Sequence, residues 1–295
     1  MEIRYVICLP QGGIHDMWSR IQSVLYYCQQ SNRIMVLDTY KNWFRDDWRN
    51  YFTIDSPYLY KGNQSESEAL ITTLLKKRSH EIFPPQLSGK TYHELPHAKW
   101  IAPGHMEMDG IKVSSSLKRM YDESVVVYAD CGSSHHILPL FSIIRFHDSI
   151  LQELQRRRAL LPEQFVSVHI RNTDYKSNVD QFIREHWILF KKYPLFVASD
   201  HAESIEKFKQ HFETYSFSHI PSLPPGINIH ESVESQSLRL SKEDIARCNT
   251  DAMLDFLLLP MGSKILCSSQ QSGFSRSVMV LHQSPEILQK VYRGQ

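Results

Sequence analysis

The sequence predicts an α/β protein made of two Rossmann-like halves with parallel sheets. Three observations carry this. Strand, loop, helix and strand follow one another in the first half, and the same order recurs in the second. Such βαβ units imply parallel pairing. No repeat of fixed period and no low-complexity tract interrupts the pattern.

The first half opens with a strand over Ile3–Leu9 and a glycine-containing loop, Pro10-Gln-Gly-Gly-Ile-His-Asp16. A helix follows, with Met17, Ile21, Val24, Leu25 and Cys28 on one stripe. A second strand covers Arg33–Asp38. The region from about Lys41 to Arg78 is aromatic-rich and irregular, and short strands are expected at Lys99–Ala102 and Ser124–Ala129. Leu140–Leu161 reads as one helix, with Pro139 suited to its first turn and Pro162 ending it. The halves are expected to join near residue 155, giving domains 1–154 and 155–295.

In the second half, Gln164–Ile170 is a strand and Val179–Lys192 a helix. Leu195–Ser199 is a short strand ending at Asp200, followed by a helix over Ala202–Phe212. Pro221–Gly226 reads as a loop. Ser241–Pro260 is a helix whose Ser241-Lys-Glu-Asp244 start resembles a capping box. Lys264–Ser268 is a strand, and Ser272–His282 is the last clear helix.

Bulk properties exclude several function classes. A chain of 295 residues, 42% hydrophobic and 22% charged, has the balance of a soluble globular protein. A formal charge of +1 makes no global case for nucleic acid as a partner. The five cysteines are scattered without a CxxC, which fits a reducing compartment. The N-terminus reads as a strand and not as a signal peptide. No apolar run approaches the roughly 20 residues that span a bilayer. The expected place is the cytoplasm, with peripheral attachment at the inner face of the membrane left open.

Four segments carry chemistry. In Phe165-Val-Ser-Val-His-Ile-Arg-Asn-Thr-Asp-Tyr175, Val166, Val168 and Ile170 share one strand face, and His169 and Arg171 the other. A guanidinium at a strand's C-terminal end is placed to grip a phosphate, at the sheet edge where open α/β proteins bind ligands. A salt bridge of Arg171 with Asp174 is the structural alternative. In Gln11-Gly12-Gly13-Ile14-His15-Asp16, the glycines admit close backbone approach, and His15 or Asp16 can serve as a base. Its spacing is not that of a dinucleotide fingerprint. Asp200, just past a strand, can accept from a base or ribose or cap the next helix. Ser268-Ser-Gln-Gln-Ser-Gly-Phe-Ser-Arg276 enters a helix, and its hydroxyls and amides can cradle a phosphate, or Ser272 or Ser275 can simply cap that helix. Asp251 and Asp255 lie on one face of the preceding helix. Cys131-Gly-Ser-Ser-His135-His136 lacks the ligand spacing of a metal site, and no P-loop, HExxH, GxSxG or metal-holding DxD is found.

His169-Ile-Arg171-Asn-Thr-Asp174-Tyr resembles the HxRxxD-type motif of the α1,2-, α1,6- and protein O-fucosyltransferases. Phe196-Val-Ala-Ser-Asp200 looks like that superfamily's second motif. Asp251-Ala-Met-Leu-Asp255 with Ser268–Arg276 resembles the third, and Gly12-Gly-Ile-His-Asp-Met17 its first glycine loop. Residues 40–150 carry no motif of it, and Asn172-Thr173 and Arg276 depart from the usual pattern.

The resemblance implies a GT-B fold, two Rossmann-like domains facing a central cleft, and an inverting, metal-independent transfer of fucose from GDP-fucose to a glycan hydroxyl. It implies an acceptor-binding N-terminal domain and a nucleotide-sugar-binding C-terminal one. Arg171 would then hold the β-phosphate, and His169 the diphosphate or ribose. Ser272, Phe274 and Ser275 would complete the cradle with Asp200 at the base or ribose. Asp174, Asp251, Arg276, Gly12 and Gly13 would line the donor site. Asp16 or His15 would be the base, and no cofactor or metal would be needed. A glycan or lipid-linked oligosaccharide, as in surface polysaccharide or O-antigen building, would be the acceptor. The competing readings are another GDP-, UDP- or CMP-sugar as donor, or a non-catalytic nucleotide- or glycan-binding protein. An epimerase or dehydrogenase would need a Tyr-x-x-x-Lys pair, which is missing.

Overall fold

The structure is a computed structural model, and it describes residues 2–102, 104–114, 116–132, 137–172, 177–218 and 240–293. The chain forms two compact units, Met1–Arg145 and Phe146–Gln295.

In the first unit, β1 (Arg4–Cys8), α1 (Ile14–Ser31) and β2 (Arg33–Leu37) form the expected βαβ. Helix α2 (Gln64–Leu75) lies within the region read as irregular. Asn63 caps it in a full capping box with Glu66. Strand β3 (Phe52–Ile54) precedes it, and β4 (Ile82–Phe83) follows it. A separate antiparallel sheet is made of β5 (Lys99–Ala102), β6 (His105–Met108) and β7 (Ile111–Lys112). With β8 (Val125–Tyr128), the main sheet runs β2-β1-β8-β4, all parallel. Parallel sheets are covered on both faces, so Val6–Cys8 and all of β8 are buried. Met17, Ile21, Val24, Leu25 and Cys28 of α1 are buried too.

The single helix expected over Leu140–Leu161 is instead three elements: α3 (Leu138–Phe141), β9 (Ile144–Phe146) and α4 (Asp148–Leu160). Ile143-Ile-Arg-Phe146 is a β-branched, alternating run that competes with the helical pattern. The units divide at Arg145/Phe146, and the expected division near 155 falls inside α4.

The second unit holds β10 (Val166–Ile170), α5 (Val179–Lys192), β11 (Leu195–Ser199), α6 (Ala202–Lys209) and β12 (Thr214–Tyr215). These are followed by α7 (Lys242–Leu258), β13 (Lys264–Cys267) and α8 (Gly273–His282). A last helix, α9 (Pro285–Arg293), was not expected; Pro285 at its start is its sequence signal. The sheet runs β12-β11-β10-β13, all parallel, with β10 second from one edge and buried throughout. Val166, Val168 and Ile170 pack against Ile183, Phe190, Ile205 and Phe208 of α5 and α6. The loop read at Pro221–Gly226 lies outside the described residues.

Candidate functional site

The strongest constellation gathers at the C-terminal edge of the second sheet. Ile170 of β10 pairs in register with Ser199 of β11, so Arg171 and Asp200 leave the sheet side by side. Arg171 Nη1 lies 2.7 Å from Asp200 Oδ2. Asp200 Oδ1 accepts from the Asn172 amide at 2.9 Å. The Arg171 amide donates to Ser268 Oγ at 3.0 Å, and Ser177 Oγ donates to the Arg171 carbonyl at 2.6 Å. Ser177 and Ser268 hydroxyls meet at 2.9 Å. The backbone that presents the guanidinium is therefore tied to β13, β11 and the start of α5. Both side chains stay partly open to solvent, at 20% for Arg171 and 17% for Asp200. Asp200 thus contacts Arg171 and Asn172 and keeps part of its carboxylate open to solvent. Asp174 lies outside the described residues.

Two residues before Arg171, His169 points into the interior. Its Nδ1 is 2.7 Å from Ser275 Oγ, and its ring stacks on Phe274 with centroids 4.7 Å apart. Phe274 in turn meets Phe256 edge-on at 5.0 Å. Burial pushes the imidazole down to about 4, with Asp200 pulling partly upward and Arg171 adding to the downward push. His169 is thus neutral near pH 7, and it offers hydrogen bonds and not charge. Ser272 caps α8 by accepting from the Ser275 amide at 3.4 Å. Both hydroxyls are buried. What the loop presents to a ligand is the start of a ten-residue helix with Phe274 and Arg276 half-buried beside it.

The paired aspartates of α7 are not solvated surface charge. Asp251 is buried and ion-paired with Arg157 of α4, which also donates to Glu153 at 2.8 Å. They stand at the wall of a cavity of about 500 Å3 that Arg156, Arg247 and Thr250 also line. Asp255 Oδ2 accepts from Ser218 Oγ at 2.5 Å, while its buried Oδ1 has no partner among the described residues. Burial, with Asp251 adding to it, raises the Asp255 carboxyl to about 7.

In the first unit, Gly12 adopts φ +93, and a Cβ there would stand 2.7 Å from that of Asp16. Gln11 fixes the loop, donating to the Leu9 and Lys41 carbonyls at 3.0 and 3.1 Å. Asp16 retains 32% side-chain exposure, whereas His15 has 4%. Of the two candidate bases, Asp16 is the more open to solvent. Beyond it, Arg20 Nη1 and Tyr128 Oη reach Asp130 Oδ2 at 3.3 and 3.2 Å. In the Cys131–His136 run, Cys131 is half-buried, with its thiol pushed up to about 11, and residues 133–136 lie outside the described residues.

Ser177, Asn172, Arg157 and Asp130 were not among the expected site residues. Asn172 lies inside the His169–Asp174 motif at one of its variable positions, and Ser177 follows that motif in no recognisable pattern of its own. Arg157 meets Asp251 across 94 positions, a separation that spacing cannot reveal.

No protein-family model matches the chain, and no curated protein matches it in sequence. Among solved structures it is similar to the fucosyltransferase NodZ from Bradyrhizobium, at 14% identity and a TM-score of 0.58, over 95% of this chain and 94% of that one. It is also similar to POFUT1, at 12% identity and a TM-score of 0.52, over 96% of each chain. NodZ, an α-1,6-fucosyltransferase, has been co-crystallised with GDP and soaked with GDP-fucose, and POFUT1 has been crystallised with GDP-fucose. At these identities the likeness establishes the fold: this chain has the GT-B fold of those fucosyltransferases.

Proposed function

We propose that this chain is an inverting, metal-independent glycosyltransferase that moves fucose from GDP-fucose to a hydroxyl of a glycan acceptor. The observation that carries the reading is Arg171, held at the C-terminal end of a central parallel strand by Asp200, Ser177 and Ser268. Transfer breaks the bond between the sugar and a diphosphate, and negative charge builds on the leaving oxygen. A fixed guanidinium stabilises that charge, and the amides at the start of α8 add to it. Solved structures of the same fold that bind GDP and GDP-fucose support the donor.

In this reading Arg171 takes the β-phosphate. His169, as a neutral imidazole, supports the diphosphate or ribose by hydrogen bonding, oriented by Ser275 and Phe274. Ser272 holds α8 in place, and Arg276, Asp251 and Asp174 belong to the donor's surroundings. Asp200 acts by positioning Arg171. Gly12 and Gly13 allow the loop to fold back on Asp16, which takes the acceptor's proton. The first unit is assigned the acceptor and the second the donor.

The test is calorimetric titration of the purified chain with GDP, UDP and CMP, without added metal. Selective GDP binding that is lost in Arg171→Ala is the expected result. Selective UDP or CMP binding replaces the donor. Binding of no nucleotide by the folded chain overturns the reading in favour of a non-catalytic glycan-binding protein.

A further inference from the structure

We propose that the outer, C-terminal part of α5 docks on an anionic lipid surface. The inference goes beyond the transferase reading and uses none of its residues.

Helix α5 buries Val179, Ile183 and Phe190 against the sheet. At the margin of that face Trp187 meets Phe212 edge-on at 5.0 Å and is still 40% exposed, and Ile188, turned away from the sheet, is 86% exposed. An isoleucine so exposed beside a tryptophan gains nothing from the fold. Around them stand Arg184, Lys191 and Lys192 of α5 and Lys264 at the start of β13, all exposed. Lys191 Nζ lies 5.0 Å from the Trp187 ring, and Lys192 Nζ lies 5.2 Å from that of Tyr193. A shallow cavity of about 490 Å3 joins Arg184, Trp187, Ile188, Lys192, Tyr193 and Lys264 into one surface.

Carboxylates do not cancel this charge. Glu185 is the one acidic residue lining the cavity, and it accepts from Gln181 at 2.8 Å. On neighbouring positions Asp180 is paired with Lys207 and Glu206 with Lys209, at 2.7 and 2.8 Å. Among the described residues of this surface, cations are therefore in excess.

A tryptophan and a tyrosine with long cationic side chains around a small apolar point suit the interface of a bilayer. The rings rest at headgroup depth, the lysines reach the phosphates, and the aliphatic tip enters the acyl boundary. A protein partner fits less well, because stable protein interfaces need roughly 800 Å2 per side, far more than two protruding side chains offer. The location also matters. Lys264 and Val166 are paired at the N-terminal ends of their strands, whereas Arg171 follows the C-terminal end of β10. Five residues of strand, roughly 15 Å, separate the two edges, so docking leaves the Arg171 edge turned away from lipid.

The experiment is co-sedimentation of the full chain with phosphatidylcholine vesicles, with and without phosphatidylglycerol, at low and high salt. Ile188→Glu, Lys192→Glu and Lys264→Glu change exposed side chains only, and an unchanged far-ultraviolet circular dichroism spectrum and urea midpoint serve as the check that they are folded. Expected are binding to the phosphatidylglycerol vesicles alone, its loss at high salt, and a fall of about tenfold in apparent affinity for each variant. Absence of binding by the unmodified chain overturns the proposal, as does binding that the three variants leave unchanged. A self-association seen by sedimentation velocity and abolished by Ile188→Glu, without vesicle binding, also overturns it and makes the surface a contact between copies.

Discussion

Arg171 and Asp200 are bonded because their strands are in register. Ile170 lies opposite Ser199, and the next residue on each chain carries the charge, 2.7 Å apart. The pair is thus a product of parallel alignment and not of local sequence. Arg171→Ala should lower turnover by about 10²–10³ while leaving the far-ultraviolet circular dichroism unchanged. Asp200→Asn keeps an acceptor for the Asn172 amide but removes the ion pair. It should weaken donor affinity and turnover together, by less than Arg171→Ala does. Initial-rate kinetics on both variants decide this, and unimpaired kcat/KM in the folded Arg171→Ala protein would sink the site.

Ser275→Ala removes the hydroxyl at His169 Nδ1 and leaves a buried ring nitrogen unsatisfied. The expected loss is about 1–3 kcal/mol of stability, measured by urea unfolding at pH 7.0 (roughly neutral, where the imidazole carries no charge). Unchanged stability would mean that His169 finds another partner.

His169 and Asp255 should pull the pH dependence of stability in opposite directions. The His169 pKa is depressed to about 4 from an ordinary value of 6.5, so the unfolded chain binds the extra proton between them, and stability falls as pH drops through that window. The Asp255 pKa is raised to about 7 from 3.8, so the folded chain holds the extra proton, and stability falls as pH rises through that window. Asp255→Asn should therefore flatten the second fall. Unfolding of both proteins across the acid-to-neutral range tests it, and identical slopes would refute the assignment.

Asp16→Asn should reduce turnover far more than it changes GDP binding. A base acts in the chemical step, and Asp16 is more exposed than the neighbouring His15. Should donor affinity fall instead, Asp16 is not the base.

Transfer should survive EDTA, since a guanidinium and helix amides carry the charge in the proposed reaction. Complete loss of activity that manganese restores would contradict that chemistry.

The legible parts of the fold were those written in short-range pattern. The β1-loop-α1-β2 unit and the run from β10 to β11 follow from alternation, turn residues and a helical stripe. Helix α2 was overlooked even though Asn63 and Glu66 announce it, because the aromatic residues around it dominate the pattern. The break at Ile144–Phe146 was hidden because β-branched residues fit a helix stripe and a strand equally in so short a run. At the site, the motif residues were readable, while their partners were not. The Arg157–Asp251 pair and the His169–Ser275 bond join positions 94 and 106 apart, and only folding brings them together.

Gly12 has a consequence for how variation in this chain would be interpreted. Its left-handed backbone and its closeness to Asp16 make the two positions a single geometric unit. Any side chain at position 12 displaces the carboxylate before it touches a substrate. In a selection scored only on product, Gly12 would look like a catalytic residue, and a second change at Asp16 on that background would cost little more. The two mutations would show strong epistasis, and conservation at position 12 among relatives would report on the aspartate it shelters.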